Sequence, residues 1–136
     1  MESWQSMYLI IWVAFLQILF ILFSPFGDMV NLGVHVVIGL AILYLAFAIF
    51  RKVARTSCPD RIKRITRTTR NLAVLQAVLG IALEVGIALS FGSIYIGFVK
   101  FLHVANALAI ITQASSSATA YDMWEEKEFQ APAATQ

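Results

Sequence analysis

Residues 29–50 read MVNLGVHVVIGLAILYLAFAIF and are followed at once by Arg51 and Lys52. The run contains no Asp, Glu, Lys or Arg. A bilayer-crossing helix needs about 20 predominantly apolar residues, whereas a barrel strand shows about ten alternating ones. Hydrocarbon offers the backbone no water to bond, so such a run must close its own hydrogen bonds as a helix. Three further runs have the same character, at about 7–23, 72–89 and 94–114. The sequence therefore predicts an all-α integral membrane protein, a single four-helix bundle over residues 1–136 built from two helical hairpins.

Composition agrees. Of 136 residues, 60% are hydrophobic and only 13% charged, against about 25% charged in an ordinary soluble domain. Mean hydropathy is +0.77. A soluble globular enzyme, a disordered tail and a collagen-like fibre are excluded. Cys58 is the single cysteine, which excludes an intrachain disulfide and a cysteine-pair metal site. The first run has no basic residue before it and no small-x-small site after it, so it reads as a span rather than a leader.

The connections alternate short, long, short. Residues 24–28 and 90–93 read as tight turns. Residues 51–70 form a basic loop holding Arg51, Lys52, Arg55, Arg61, Lys63, Arg64, Arg67 and Arg70, eight of the ten basic residues. The positive-inside rule puts this loop in the cytoplasm, with both termini on the same side. Trp4, Tyr8, Tyr121 and Trp124 fit an aromatic belt at the inner interface. A polar tail is expected over 121–136. A topogenic loop at an anionic leaflet accounts for the charge, and no nucleic-acid-binding signature accompanies it. The expected setting is the lipid bilayer of a prokaryotic cell membrane. Other membrane subunits, or further copies of the chain, are the expected partners, with no nucleic acid.

The two halves share a pattern. His35-Val36-Val37-Ile38-Gly39-Leu40-Ala41-Ile42 and His103-Val104-Ala105-Asn106-Ala107-Leu108-Ala109-Ile110 both read His-Val-x-x-x-Leu-Ala-Ile. His35 and His103 are the only histidines. The repeat predicts matched depths, roughly 10 Å below the outer surface at 1.5 Å per residue. Ionisable residues inside membranes default to function, and two imidazoles on two helices can take the two axial positions of a haem iron. Gly39 and Ala107, one turn further along, would leave room for the macrocycle, and Lys100 is placed to meet a propionate. The competing readings are a different metal and structural histidines hydrogen-bonded inside the bundle.

Glu84 is the third unusual residue. Gln76, Gly80 and Glu84 form an i, i+4, i+8 stripe expected to face the interior. An acid there could relay protons or act as an acid–base group. Otherwise it would be protonated and bonded to Asn106, Gln17 or backbone. With both histidines it also has the residue types of a two-histidine, one-carboxylate iron site.

Residues 70–113 resemble the third and fourth helices of one half of the haem A synthase family. The similar features are Gln76-Ala77-Val78-Leu79-Gly80-Ile81, a short outer turn, and His103 followed by Ala107. Residues 35–51, apolar with Gly39 and ending in Arg51-Lys52, resemble the second helix of that half. The resemblance implies haem ligation by His35 and His103. It does not extend to the family's Glu-x-x-His-Arg motif, which here reads Leu32-Gly33-Val34-His35-Val36; the family's reactive glutamate and the arginine after the histidine are missing. There is also no extracellular cysteine pair, and four spans stand where most members have eight.

The expected function is that of a b-type cytochrome, binding haem b (or haem A or a related haem). It would transfer electrons as a subunit or accessory of a respiratory chain or other redox complex. Two alternatives stand beside it: a compact haem A synthase-like oxidoreductase, with Glu84 as the candidate catalytic residue, and a haem-free structural subunit of a membrane complex.

Overall fold

The computed structural model describes residues 3–23 and 28–130, and four helices account for nearly all of them: α1 (Ser3–Phe23), α2 (Asp28–Ala54), α3 (Asp60–Ala88) and α4 (Ser93–Gln130). Every helix has a stretch long and apolar enough to cross a membrane, and no strand occurs among the described residues. The chain is an integral membrane protein with the four-helix bundle architecture its apolar runs predict. Each helix packs against its neighbour in sequence, and α1 closes the ring on α4. Helices α1 and α3 are therefore diagonal to each other, as are α2 and α4. Both ends of the described chain lie at the end of the bundle that carries the α2–α3 turn.

The helices outrun the apolar blocks. The expected basic loop shrinks to residues 55–59, because α2 continues to Ala54 and α3 begins at Asp60. Most of the basic residues thus sit on helix. The short turn is self-contained. The Thr56 hydroxyl donates to Val53 O at 2.8 Å, and Arg55 N donates to Lys52 O at 3.1 Å, satisfying carbonyls at the end of α2. Pro59 then opens α3, with Asp60 in its first turn, where a negative side chain suits the helix dipole. Cys58 is buried in this turn, its thiol 3.9 Å from Val53 O. The Arg70 guanidinium lies over the Phe50 ring at 4.3 Å, a cation–π contact that anchors α3 to α2.

The expected polar tail is also helical as far as Gln130; residues 131–136 lie outside the described residues, as do residues 24–27 of the expected first turn. Tyr121, expected in the aromatic belt at the inner interface, is only 4% exposed and belongs to the core. It still meets Trp124 edge to face, at 5.3 Å between ring centroids, while Trp4 meets Tyr8 on α1.

The α3–α4 turn has a defined geometry. Phe91 N donates to Gly86 O and Ser90 N to Ile87 O, and Ser90 adopts φ 55°. This is the Schellman arrangement, with serine at the position glycine usually takes. Gly86 lies directly under the Tyr95 ring, where a Cβ would collide with Cε1.

Buried positions repeat every three or four residues along each helix. They run Met7, Ile10, Ala14 and Gln17 on α1, and Ile62, Thr66, Thr69 and Ala73 on α3. Asn106, Ile110, Ala114, Ser117 and Tyr121 continue the pattern on α4. That spacing is the seam of a bundle of nearly aligned helices. Its alanines let backbones approach closely, as membrane helix interfaces require. The Thr66 and Thr69 hydroxyls return to carbonyls of their own helix. The opposite faces, with Trp12 62%, Tyr44 73% and Ile94 89% exposed, offer apolar surface to lipid.

Candidate functional site

The seam turns polar at one level, and each helix contributes. His35 of α2 and His103 of α4 face each other across the diagonal, with ring centroids 6.0 Å apart and planes inclined at 49°. Gln17 of α1 donates from Nε2 to His35 Nδ1 at 3.0 Å and to His35 O at 2.8 Å. Gln76 of α3 places Nε2 3.0 Å from His103 Nε2. Its Oε1 accepts from Asn106 Nδ2 at 2.7 Å, and Asn106 Nδ2 also donates to Leu72 O at 2.9 Å. A buried amide or imidazole without a partner is costly, so the two glutamines and Asn106 account for most of the layer's polar atoms. His103 Nδ1 is the exception: it is buried with no hydrogen-bond partner among the described residues.

Each hairpin thus supplies a glutamine on its first helix and a histidine on its second. The glutamines carry a repeat of their own, Ala14-Phe15-Leu16-Gln17 against Ala73-Val74-Leu75-Gln76. This Ala-x-Leu-Gln signal was available in the sequence and, set beside the histidine repeat, marks the layer. The alanine of each copy is a core residue.

The hairpins differ in height, so matched depth does not come from equal counts. His35 follows Asp28 by seven residues, and His103 follows Ser93 by ten. At 1.5 Å per residue these are about 10 Å and about 15 Å of helix. The rings meet because the second hairpin rises further past the layer.

The glycines serve the layer directly. A Cβ on Gly39 would stand 3.6 Å from Gln17 Nε2, and one on Gly80 would stand 3.4 Å from His103 Cε1. Gly39 makes room for the Gln17 amide, and Gly80 lets the His103 ring lie close against α3. Ala107 is half-buried on α4, and Lys100 is exposed.

Glu84 departs from expectation. It is exposed rather than interior. It comes within electrostatic reach of His35 but makes no hydrogen bond to either ring. Gln17 and Asn106, its expected partners, are engaged within the layer instead. No group of three or more His, Cys, Asp or Glu side chains converges on a metal-sized site among the described residues, so the two-histidine, one-carboxylate set is not assembled.

The donor set nevertheless suits an axial pair. Metal–nitrogen bonds of about 2 Å on either side of one ion put two imidazole centres roughly 6 Å apart, which is the separation seen here. No protein-family model, no curated protein and no solved structure matches this chain.

Proposed function

We propose that this chain is a membrane-embedded b-type haem protein in which His35 and His103 are the axial ligands. It would act as an electron-transfer subunit or accessory of a respiratory or other redox complex. The observation that carries the reading is the pair of imidazoles on diagonal helices, at the spacing of two ligands sharing one metal. The resemblance of residues 70–113 to one half of the haem A synthase family supports it. When bound, a haem would supply one-electron chemistry. His35 and His103 would hold it, Gly39 and Ala107 would flank it, and Lys100 would meet a propionate. Gln17 and Gln76 would orient the rings through their second nitrogens, as outer partners of metal-bound histidines do.

That end of the bundle, with both termini, would face the cytoplasm of a prokaryotic cell; the basic residues around the α2–α3 turn support the orientation. Other membrane subunits, or a second copy, would cover part of the exposed apolar surface.

The test is a reduced-minus-oxidised spectrum of the purified full chain, with pyridine haemochrome analysis. A low-spin six-coordinate haem is expected. His35→Ala and His103→Ala should each give a high-spin spectrum or no haem; retention of the low-spin spectrum in both rejects the ligation. One observation favours a second reading, a haem-free structural subunit: both imidazoles already have glutamine partners. In that case the protein carries no haem. Haem A in the extract would instead promote the compact synthase.

A further inference from the structure

An amide side chain keeps nearly the same shape when turned over, so its orientation is decided by what surrounds it. In the second hairpin the decision starts at a backbone carbonyl. Leu72 O can only accept, so the Asn106 group facing it at 2.9 Å is the NH2. The same nitrogen donates to Gln76 at 2.7 Å, which commits that end of Gln76 to be oxygen. The other end, the NH2, then faces His103 Nε2 at 3.0 Å. An amide NH2 only donates, so His103 Nε2 must accept and carries no proton. A neutral imidazole has one N–H, which leaves it on Nδ1.

The first hairpin reaches the opposite outcome by the same logic. His35 O fixes the Gln17 NH2 at 2.8 Å, and that NH2 also faces His35 Nδ1 at 3.0 Å. Here Nδ1 accepts, and the proton sits on Nε2. The ordinary form of a free histidine carries its proton on Nε2, so His103 is held in the less common form and His35 in the common one.

We infer that Asn106 is a positioning residue: through Gln76 it locks His103 as the Nδ1–H tautomer, opposite to His35. In this state neither ring offers a metal the lone pair left over by its glutamine. Both remaining nitrogens carry hydrogen. Loading the pair requires each proton to move to the glutamine-facing nitrogen and each glutamine to turn its oxygen towards that N–H. On His35 the turn requires Gln17 to release His35 O, and on His103 it requires Asn106, a side chain, to let go of Gln76. Asn106 is thereby the lock on the second ligand. This last consequence rests on the haem reading; the tautomers do not.

The experiment is 15N NMR of the full chain in lipid nanodiscs, labelled at the histidine rings and purified from haem-depleted cells. With two histidines there are four ring nitrogens, assigned through His35→Phe. The expected result is one Nδ1–H ring, His103, and one Nε2–H ring, His35. Asn106→Leu and Gln76→Leu should each move His103 towards Nε2–H and leave His35 unchanged. If Asn106→Leu does not fold, Gln76→Leu and the wild-type assignment decide. Two Nε2–H rings in the wild type, or an unaltered His103 in the folded variants, overturns the lock. Haemin uptake separates the two readings. Asn106→Leu should load several-fold faster than wild type, and absence of uptake with the tautomers as expected defeats the haem reading alone.

Discussion

Replacing Gln76 with leucine tests how much the polar layer contributes to the bundle. The carboxamide bridges two α4 side chains, at 3.0 Å to His103 and 2.7 Å to Asn106. Side-chain hydrogen bonds between membrane helices average about 0.6 kcal/mol and reach about 1.7 kcal/mol. Losing both should cost about 1–3 kcal/mol, because His103 Nε2 and one Asn106 hydrogen are left buried without partners. Asn106 keeps its bond to Leu72 O, which limits the loss. Gln17→Leu should cost less, about 0.6–1.7 kcal/mol, since one of its two acceptors, His35 O, has a second lone pair and stays within the helix ladder. In a double-mutant cycle, Gln76→Leu with His103→Leu should show a coupling of about 0.6–1.7 kcal/mol. The structure supplies its own reporter. Cys58 is 2% exposed, so its rate of reaction with a thiol reagent in mixed micelles of rising denaturing-detergent content reads the unfolded fraction. A coupling indistinguishable from zero, or a larger cost for Gln17→Leu than for Gln76→Leu, would refute the reasoning.

The same labelling assay should separate two glycines. Gly86→Ala drives a methyl into the Tyr95 ring, so an overpacking cost of about 1–3 kcal/mol outweighs a helix-propensity gain of about 1 kcal/mol; Gly33→Ala meets nothing within 4 Å and should stabilise by up to about 1 kcal/mol. If both shift stability in the same direction, the packing of Tyr95 on Gly86 is wrong. For topology, Cys58 is too buried to serve, but neighbouring Ser57 is exposed; Ser57→Cys should react with an impermeant reagent only from the cytoplasmic side, and Gly92→Cys only from outside. Glu84→Gln should leave haem content and spin state unchanged, because the side chain is exposed and bonds to neither ring; loss of a formyl haem from the extract on this substitution would favour synthase chemistry over electron transfer.

The fold was legible because bilayer thickness imposes a length on apolar runs that few other structures share. Helix ends were not. Arg61, Lys63, Arg64 and Arg67 lower hydropathy without breaking the i→i−4 ladder, so α3 begins well before its apolar block, and α4 runs on through Asp122 and Glu125 for the same reason. The histidine pair was legible from rarity and from the repeat around it. Gln17 was not, since one amide in an apolar run looks like any uncharged residue until its repeat with Gln76 is set beside it. The misplacement of Glu84 has a geometric cause. A helix advances about 100° per residue, so eight residues bring a side chain round by about 80° rather than back to its starting face. Gln76 points at α4, and Glu84 has rotated out of the seam.

The unequal hairpins give the histidine layer a low wall and a high one. Beyond the layer, α1 continues for six residues and α3 for twelve, about 9 Å and about 18 Å of helix. Whatever arrives from the face that carries the α3–α4 turn, whether an electron donor, a small solute or a docking protein, has the shorter approach along the first hairpin. The second hairpin stands beside that approach as a shoulder, bearing Tyr95 and Phe91 near its crest. A four-helix bundle with equal hairpins would present the same depth from every side; this one has a front.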